Sequence, residues 1–439
     1  MLILHLSDIH FREPECTTPE LDENRHVRTR LMQDARRRCK ALGGLDAILV
    51  GGDIAFKGHP DEYEAAHGWL VELADQCSCP LERVYVIPGN HDIDRGAIAR
   101  SQATQNTHRA IRQATDHARK NVLLAQLRDD DAGRALFTPL TAYNAFAARF
   151  NCQVSPPNKI YWRQELPLDG GLRLRINGLT STLLSGEAGR IEDRDLYLSP
   201  LQTAFDPEDD VVHLVLCHHP PDWFIDGDDV DDAIRGRAAI HLFGHEHRQR
   251  VQQDASYIRF SAGAVNPDRT EGNWQPGYNL IGLEVQGEDE ARTLCVEAHV
   301  LEWQANPDGY RAKLANDDAP TWRHRIRAPA WMPATTIVPT SAPQSSSASA
   351  PSNASSSGAA MSANTASEIA MGQPSNRNLI YRFWRLAVSQ RRELVDLFNL
   401  LEPGEDRLPE PERYGRALLR ARDKGLLDDI GREIERLET

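Results

Sequence analysis

No stretch of the chain approaches the ~20 consecutive apolar residues that a membrane-spanning helix needs, so no membrane partner is expected. Nor does a basic leader with a small-residue cleavage site open the sequence. Met1-Leu-Ile-Leu-His-Leu starts a strand-like run at once, and a cytoplasmic location is expected. Cysteine is sparse: Cys16, Cys39, Cys77, Cys79, Cys152, Cys217 and Cys295 are odd in number and scattered. That excludes a disulfide scaffold and reads as reduced thiols, with Cys77-x-Cys79 the one pair at a metal-like spacing. Net positive charge is also lacking. Lys and Arg total 50 against 64 Asp and Glu, a net charge of −14, which on average repels a nucleic acid backbone. This argues against a passive nucleic acid binder but less against an enzyme, because bound dications reverse the local sign at a site.

What is present is enough apolar material, 40%, to fill a core in a chain of 439 residues, long enough for two or three domains. Strand-like segments are short, apolar and bounded by Gly, Pro or Asp: Leu2–Leu6, Ala47–Val50, Val84–Ile87, Leu172–Asn177, Val211–Cys217, Ala239–Phe243, Tyr257–Ser261, Tyr278–Val285 and Cys295–Trp303. Helical patterns occupy Val27–Ala41, Asp61–Gln76 and a polar region over 97–150, expected as an inserted helical cap or an outer helical layer. Early strand–helix alternation followed by consecutive strands predicts an α/β sandwich over residues 1–330. From 333 to 376 Ser, Ala, Pro, Thr and Asn dominate, and up to Ser375 Glu368 is the only charge; this composition predicts a flexible linker. Over 377–439 apolar residues return at helical spacing (Leu379, Phe383, Leu386, Leu394, Leu397, then Tyr414, Leu418, Leu427, Ile430, Ile434). They predict a small all-α domain that binds rather than catalyses.

Five blocks carry the chemistry, and each follows a strand-like run: Ser7-Asp8-Ile9-His10, Gly51-Gly52-Asp53, Pro88-Gly89-Asn90-His91-Asp92, Cys217-His218-His219-Pro220-Pro221 and Gly244-His245-Glu246-His247. Loops at strand C-termini are where open α/β sheets hold ligands. On an extended chain Asp8 and His10 face one side together, and the glycines allow tight turns beside bulky ions. Seven or eight N and O donors exceed what one ion takes. They suit a pair of first-row dications, which clamp a phosphate and activate water. Asp94 and Arg95 extend the third block, and Arg95 and His219 are candidate substrate contacts.

In block order these motifs resemble the full signature of calcineurin-like metallophosphoesterases, over roughly residues 1–305. The resemblance implies a four-layer α-β-β-α sandwich with a dinuclear site of Mn2+ or Fe2+, with Zn2+ or Ni2+ as alternatives. It implies Asp8, His10 and His247 on one metal, Asn90, His218 and His245 on the other, and Asp53 bridging. His219 stays open as an alternative to His218. His91 is implied as general acid at the leaving oxygen, with Asp92 accepting a hydrogen bond from its ring. Gly52-Asp-Ile-Ala-Phe-Lys-Gly58 with Glu62-Tyr63 resembles a bacterial subgroup fused to conflict-system modules. The tail (Leu400-Leu401, Asp406–Pro409, Arg416–Arg422, Gly425–Leu427) is similar to effector- or GTPase-associated adaptor domains. The expected function is therefore a metal-dependent phosphodiesterase acting on nucleic acid, with a protein partner on the C-terminal domain. The alternatives are a cyclic nucleotide or small-molecule enzyme, which the Cys217–Pro221 block also resembles, and a signalling adaptor with a gated catalytic domain.

Overall fold

A computed structural model of the chain describes residues 1–186, 194–267, 275–288, 291–329, 379, 382, 383, 386, 388–401, 405 and 410–438. The chain divides into two compact units, 1–338 and 339–439. Within the first, two mixed sheets pack face to face around one continuous apolar core, with helices outside, giving the four-layer α-β-β-α sandwich.

The first sheet is built on β1 (Leu2–Leu6), β2 (Ala47–Val50) and β3 (Val84–Val86), all parallel and fully buried. Burial on both faces is why these strands read as continuous apolar runs. The second sheet is built on β5 (Arg173–Gly178), β6 (Val211–Cys217), β7 (Ile240–Phe243) and β9 (Tyr257–Ser261), also parallel. Antiparallel strands extend both: β4 (Trp162–Pro167) and β8 (Arg250–Asp254) flank the second sheet. β10 (Gly277–Gln286), β11 (Thr293–Ala305), β12 (Asp308–Ala312) and β13 (Trp322–Arg327) extend the first. The sequence showed no sign of β4, β8, β12 and β13. Each carries at most two buried residues, so no apolar run marks it.

Helix α1 (Arg25–Ala41) buries Leu31, Ala35 and Cys39, four apart on one stripe. Helix α2 (Pro60–Gln76) opens with Pro60 at its first position, where the missing N–H costs nothing. Its Glu62 carboxylate accepts from the backbone N–H groups of Phe56 (3.2 Å), Lys57 (2.9 Å) and His59 (3.1 Å), which fixes the loop leading out of β2. The 97–150 region lies between β3 and β4. It begins within α3 (Arg95–Arg100) and holds α4 (Gln102–Gln113), α5 (Asp116–Arg128), α6 (Asp130–Phe137) and α7 (Thr141–Ala147). Its apolar face packs on α2 and β3: Phe146 stacks on Tyr63, and the Tyr143 hydroxyl donates to the Val86 carbonyl at 3.1 Å.

In the second unit the helix Val388–Leu397 buries Leu394 and Val395, and the helices Glu410–Asp423 and Leu427–Glu438 bury Tyr414, Ala417, Leu418, Ala421, Ile430 and Ile434 at spacings of three and four. Arg420 donates to Glu405 (2.7 Å) and to the Leu400 carbonyl (2.8 Å). The expected linker, 333–376, lies outside the described residues. Among the described residues, no helix is long and apolar enough to cross a membrane, and all seven cysteines are free.

Candidate metal centre

Strand register determines where the donors land. Leu6, Val50 and Val86 are paired across the first sheet, and Asp8, Asp53 and Asn90 follow them by two, three and four residues. Cys217 and Phe243 are paired across the second, and His218 and His245 follow by one and two. All five loops leave C-terminal ends of parallel strands, so the two sheets deliver their donors to one place.

The backbone there is unusual. Asp8 (φ 55°), His10 (51°), Asp53 (51°), His245 (69°) and His247 (52°) all lie in the left-handed region. Each such non-glycine residue costs on the order of 1 kcal/mol and persists only where its surroundings force it. This corrects the reading of Asp8 and His10 as extended: they face one point because both residues are left-handed. The glycines are needed for space as well. A Cβ on Gly89 would overlap the Asp53 carboxylate, and one on Gly52 would lie 2.7 Å from His218 Nδ1.

Asp53 is the hub. One oxygen, Oδ2, lies 3.3 Å from His10 Nε2 and 3.3 Å from His218 Nε2; the other accepts from the His91 N–H at 2.7 Å. On the first-sheet side Asp8 Oδ1 lies 3.2 Å from His247 Nε2, and its other oxygen accepts from the His245 N–H at 3.2 Å. On the other side His218 Nε2 lies 3.1 Å from Asn90 Oδ1. Donor atoms of Asp8, His10 and His247 fall within 4.8 Å of one another. So do those of Asp8, Asp53 and His218, of His10, Asp53 and His91, and of His218, His219 and His245.

Rings are held by their second nitrogens: His10 Nδ1 donates to the Asn266 carbonyl (3.2 Å) and His218 Nδ1 to Gly51 (2.7 Å). Each Nε2 is thereby directed at the cluster. His219 is placed differently. Its Nδ1 is paired with Ser181 Oγ at 2.8 Å, and its ring lies beside His245 and Trp223.

The electrostatics call for cations. Burial pushes the Asp53 carboxyl up, but His218 and His10 outweigh it and hold it well below the usual range; Asp8 is lowered likewise against burial, by His247. Burial also opposes charge on His218, yet Asp53 raises it to about 9, and His10 is raised by the same carboxylate. Two buried carboxylates thus draw positive charge onto their neighbours, charge that bound dications would supply in place of protons. His245, lowered to about 3 by burial and then by His218, is a neutral imidazole, the form that ligates metal.

One expected role is corrected. Asp92 does not accept from the His91 ring. Its carboxylate accepts from the N–H groups of Gly89 (2.8 Å), Ala55 (2.9 Å) and Ile54 (3.2 Å) and from the Tyr63 hydroxyl (3.0 Å). Burial and the charge of Asp53 raise it to about 7. Asp92 points back into the β2 and β3 turns and pins them together. His91 is oriented instead by Phe56, whose carbonyl accepts from Nδ1 at 2.8 Å and whose ring stacks on the imidazole, with Arg12 on Phe56 at 3.6 Å. Neither contact was legible: Phe56 stands in the quoted Gly52–Gly58 stretch without a role of its own, and a lone Arg12 carries no motif.

His91 borders two cavities. One, about 280 Å3, also touches Arg95, His219, Trp223 and His245. The other, about 510 Å3, is shared with His10, Arg12, Phe56 and His247. Arg95 and His219 thus line the same cavity as His91 and His245.

Residues 1–249 match the calcineurin-like phosphoesterase family and residues 375–436 the GTPase-associated adaptor domain. No curated protein matches the chain. Similar solved structures include Vps29 of Chaetomium thermophilum (10% identity, 75% of this chain and 99% of that one, TM-score 0.29). Others are a Streptococcus pneumoniae protein described as a predicted phosphoesterase (12%, 74% and 97%, 0.27) and the purple acid phosphatase PPD1 of yellow lupin seeds (10%, 75% and 54%, 0.34). With its family match spanning more than half the sequence and a cluster of buried Asp and His donors at the strand ends, the chain belongs to the calcineurin-like phosphoesterases and is a metal-dependent hydrolase of phosphate esters.

Proposed function

We propose that the chain is a dinuclear phosphodiesterase acting on nucleic acid, an effector nuclease of a bacterial defence or conflict system whose C-terminal domain recruits a protein partner. The observation that carries the dinuclear reading is Asp53 Oδ2, equidistant from His10 and His218, with Asp8 and His247 on one side and Asn90 on the other. In this reading Asp8, His10 and His247 would hold one ion and Asn90, His218 and His245 the other, with Asp53 shared between them. Mn2+ or Fe2+ suits the mixed N/O set. When bound, the pair supplies Lewis-acid polarisation of the phosphate and activation of water. The chain's own part is positioning and proton transfer. His91, its Nδ1 committed to Phe56, offers Nε2 to the leaving oxygen. Arg95 reaches a phosphate oxygen.

A screen of the purified protein with Mn2+, Fe2+, Zn2+ and Ni2+ against plasmid DNA, RNA, cyclic nucleotides and bis(p-nitrophenyl) phosphate tests this. Nucleic acid cleavage that stops with a chelator is expected. Turnover of a cyclic nucleotide with DNA and RNA untouched would replace the nuclease by the small-molecule reading, which the compact 280 Å3 cavity walled by Trp223 favours. Gating by the adaptor domain predicts that a chain ending near Pro333 is faster than the full protein; equal rates exclude it.

A further inference from the structure

The turn carrying His245 and His247 runs on through Arg248 and Gln249 into β8, which begins at Arg250. Beside it opens a groove of about 450 Å3 that starts at His247 and is lined by Arg248, Gln249, Arg250, Gln275 and Lys313. Three of its lining residues are cations and, among the described residues, none is acidic, in a chain whose net charge is −14. The cavity on the other side of His247 differs: Arg12 and Arg28 are offset there by Glu15, Asp22 and Glu23. Positive charge is therefore concentrated on one side of the centre.

The groove is also rigidly framed. Lys313, just beyond β12, donates from Nζ to the Gln249 carbonyl at 2.9 Å. The Gln249 side-chain amide donates to the Leu301 carbonyl at 2.9 Å, tying the turn to the first sheet. Arg250 is paired with Glu246 at 2.9 Å. Arg248 is exposed and has no ion pair among the described residues. Among the described residues, the backbone thus presents one guanidinium without an ion pair and two anchored cations beside His247.

We propose that this groove is a subsite for a second phosphate, one covalently continuous with the phosphate under attack. The proposal rests on the reading of the centre as a nuclease and sharpens it. A cyclic mononucleotide has a single phosphate and leaves the groove empty; an oligonucleotide has another at the next linkage. A guanidinium is suited to that group through paired N–H donors. Because Arg248 and Arg250 are exposed and Lys313 is only half-buried, solvent screens them, so the gain belongs to binding and is modest, about tenfold in KM.

The test uses the full chain with Mn2+ and three dinucleotides of one sequence: unphosphorylated, 5′-phosphorylated and 3′-phosphorylated. One phosphorylated form is expected to show a KM about tenfold below that of the plain dinucleotide at similar kcat, an advantage that shrinks as salt rises. In Arg248→Ala the ratio of the two kcat/KM values should fall toward one, and in Arg248→Glu below one. Equal KM for all three dinucleotides, or an unchanged ratio in Arg248→Ala, overturns the subsite while leaving the nuclease reading intact. Hydrolysis of bis(p-nitrophenyl) phosphate with no dinucleotide cut overturns the nuclease reading and the subsite with it.

Discussion

The two units bury different things. The first hides Asp8, Asp53, Asp92, His218 and His219 at its strand ends and His5 and His241 within its strands, together with several Ser, Thr and Asn. In the helical unit, among the described residues, Glu405 is the one buried polar group, and Arg420 neutralises it. Buried charge is costly unless paired or bound to metal. A fold that concentrates it is organised around chemistry; one that avoids it is organised around packing.

The comparison is broken most directly at Asp53. Asp53→Ala should lower phosphodiester turnover by more than about 10³-fold, since a two-ion clamp supplies several kcal/mol to the transition state. Elemental analysis of the purified variant should show lost metal; full metal content with wild-type kcat would remove Asp53 from the centre. His91→Ala should cost about 10²–10⁴-fold in kcat at unchanged metal content, the range of a general acid. Ile430→Ala tests the other unit. It should destabilise the helical core by about 2–5 kcal/mol and leave bis(p-nitrophenyl) phosphate hydrolysis at the full-length rate. Calorimetry reads the first effect, and a fall in hydrolysis would show that the units are not separable in this sense.

The smallest effect concerns acid. His241 is pushed down to about 3 by burial and then by Arg259, against an ordinary 6.5. Between those values the unfolded chain binds a proton that the folded protein refuses. Stability is therefore complete above pH 6.5 and is lost as pH falls toward 3. His241→Asn should flatten the decline of the urea midpoint between pH 6.5 and 4, by at most about 1.4 kcal/mol per pH unit. The helical unit contains no histidine and should show no such slope; an equally steep one there would blur the distinction.

How far sequence sufficed follows from the same physics. The buried parallel strands were legible because both faces are apolar: Leu2–Leu6, Ala47–Val50, Val211–Cys217 and Tyr257–Ser261 have the bounds expected. The edge strand Arg250–Asp254 was not, since it is polar and mostly exposed. Donor identities were legible because a motif names residue types. What each donor touches was not. Phe56 takes the part expected of Asp92 because orientation of the His91 ring depends on a backbone carbonyl, which every residue has, and so leaves no mark in the sequence.

The hub carboxylate has one more consequence. Asp53 leaves the first sheet and touches His218, which leaves the second, while the Gly51 carbonyl accepts from the same imidazole. The centre therefore straddles the seam between the two sheets, and its ions would fasten that seam like a clasp. Occupancy then becomes mechanical as well as chemical: tight binding to the folded state alone raises its stability by mass action. Stripping the ions should make amide protons along β2 and β6 exchange faster together, before any other part of the sandwich loosens.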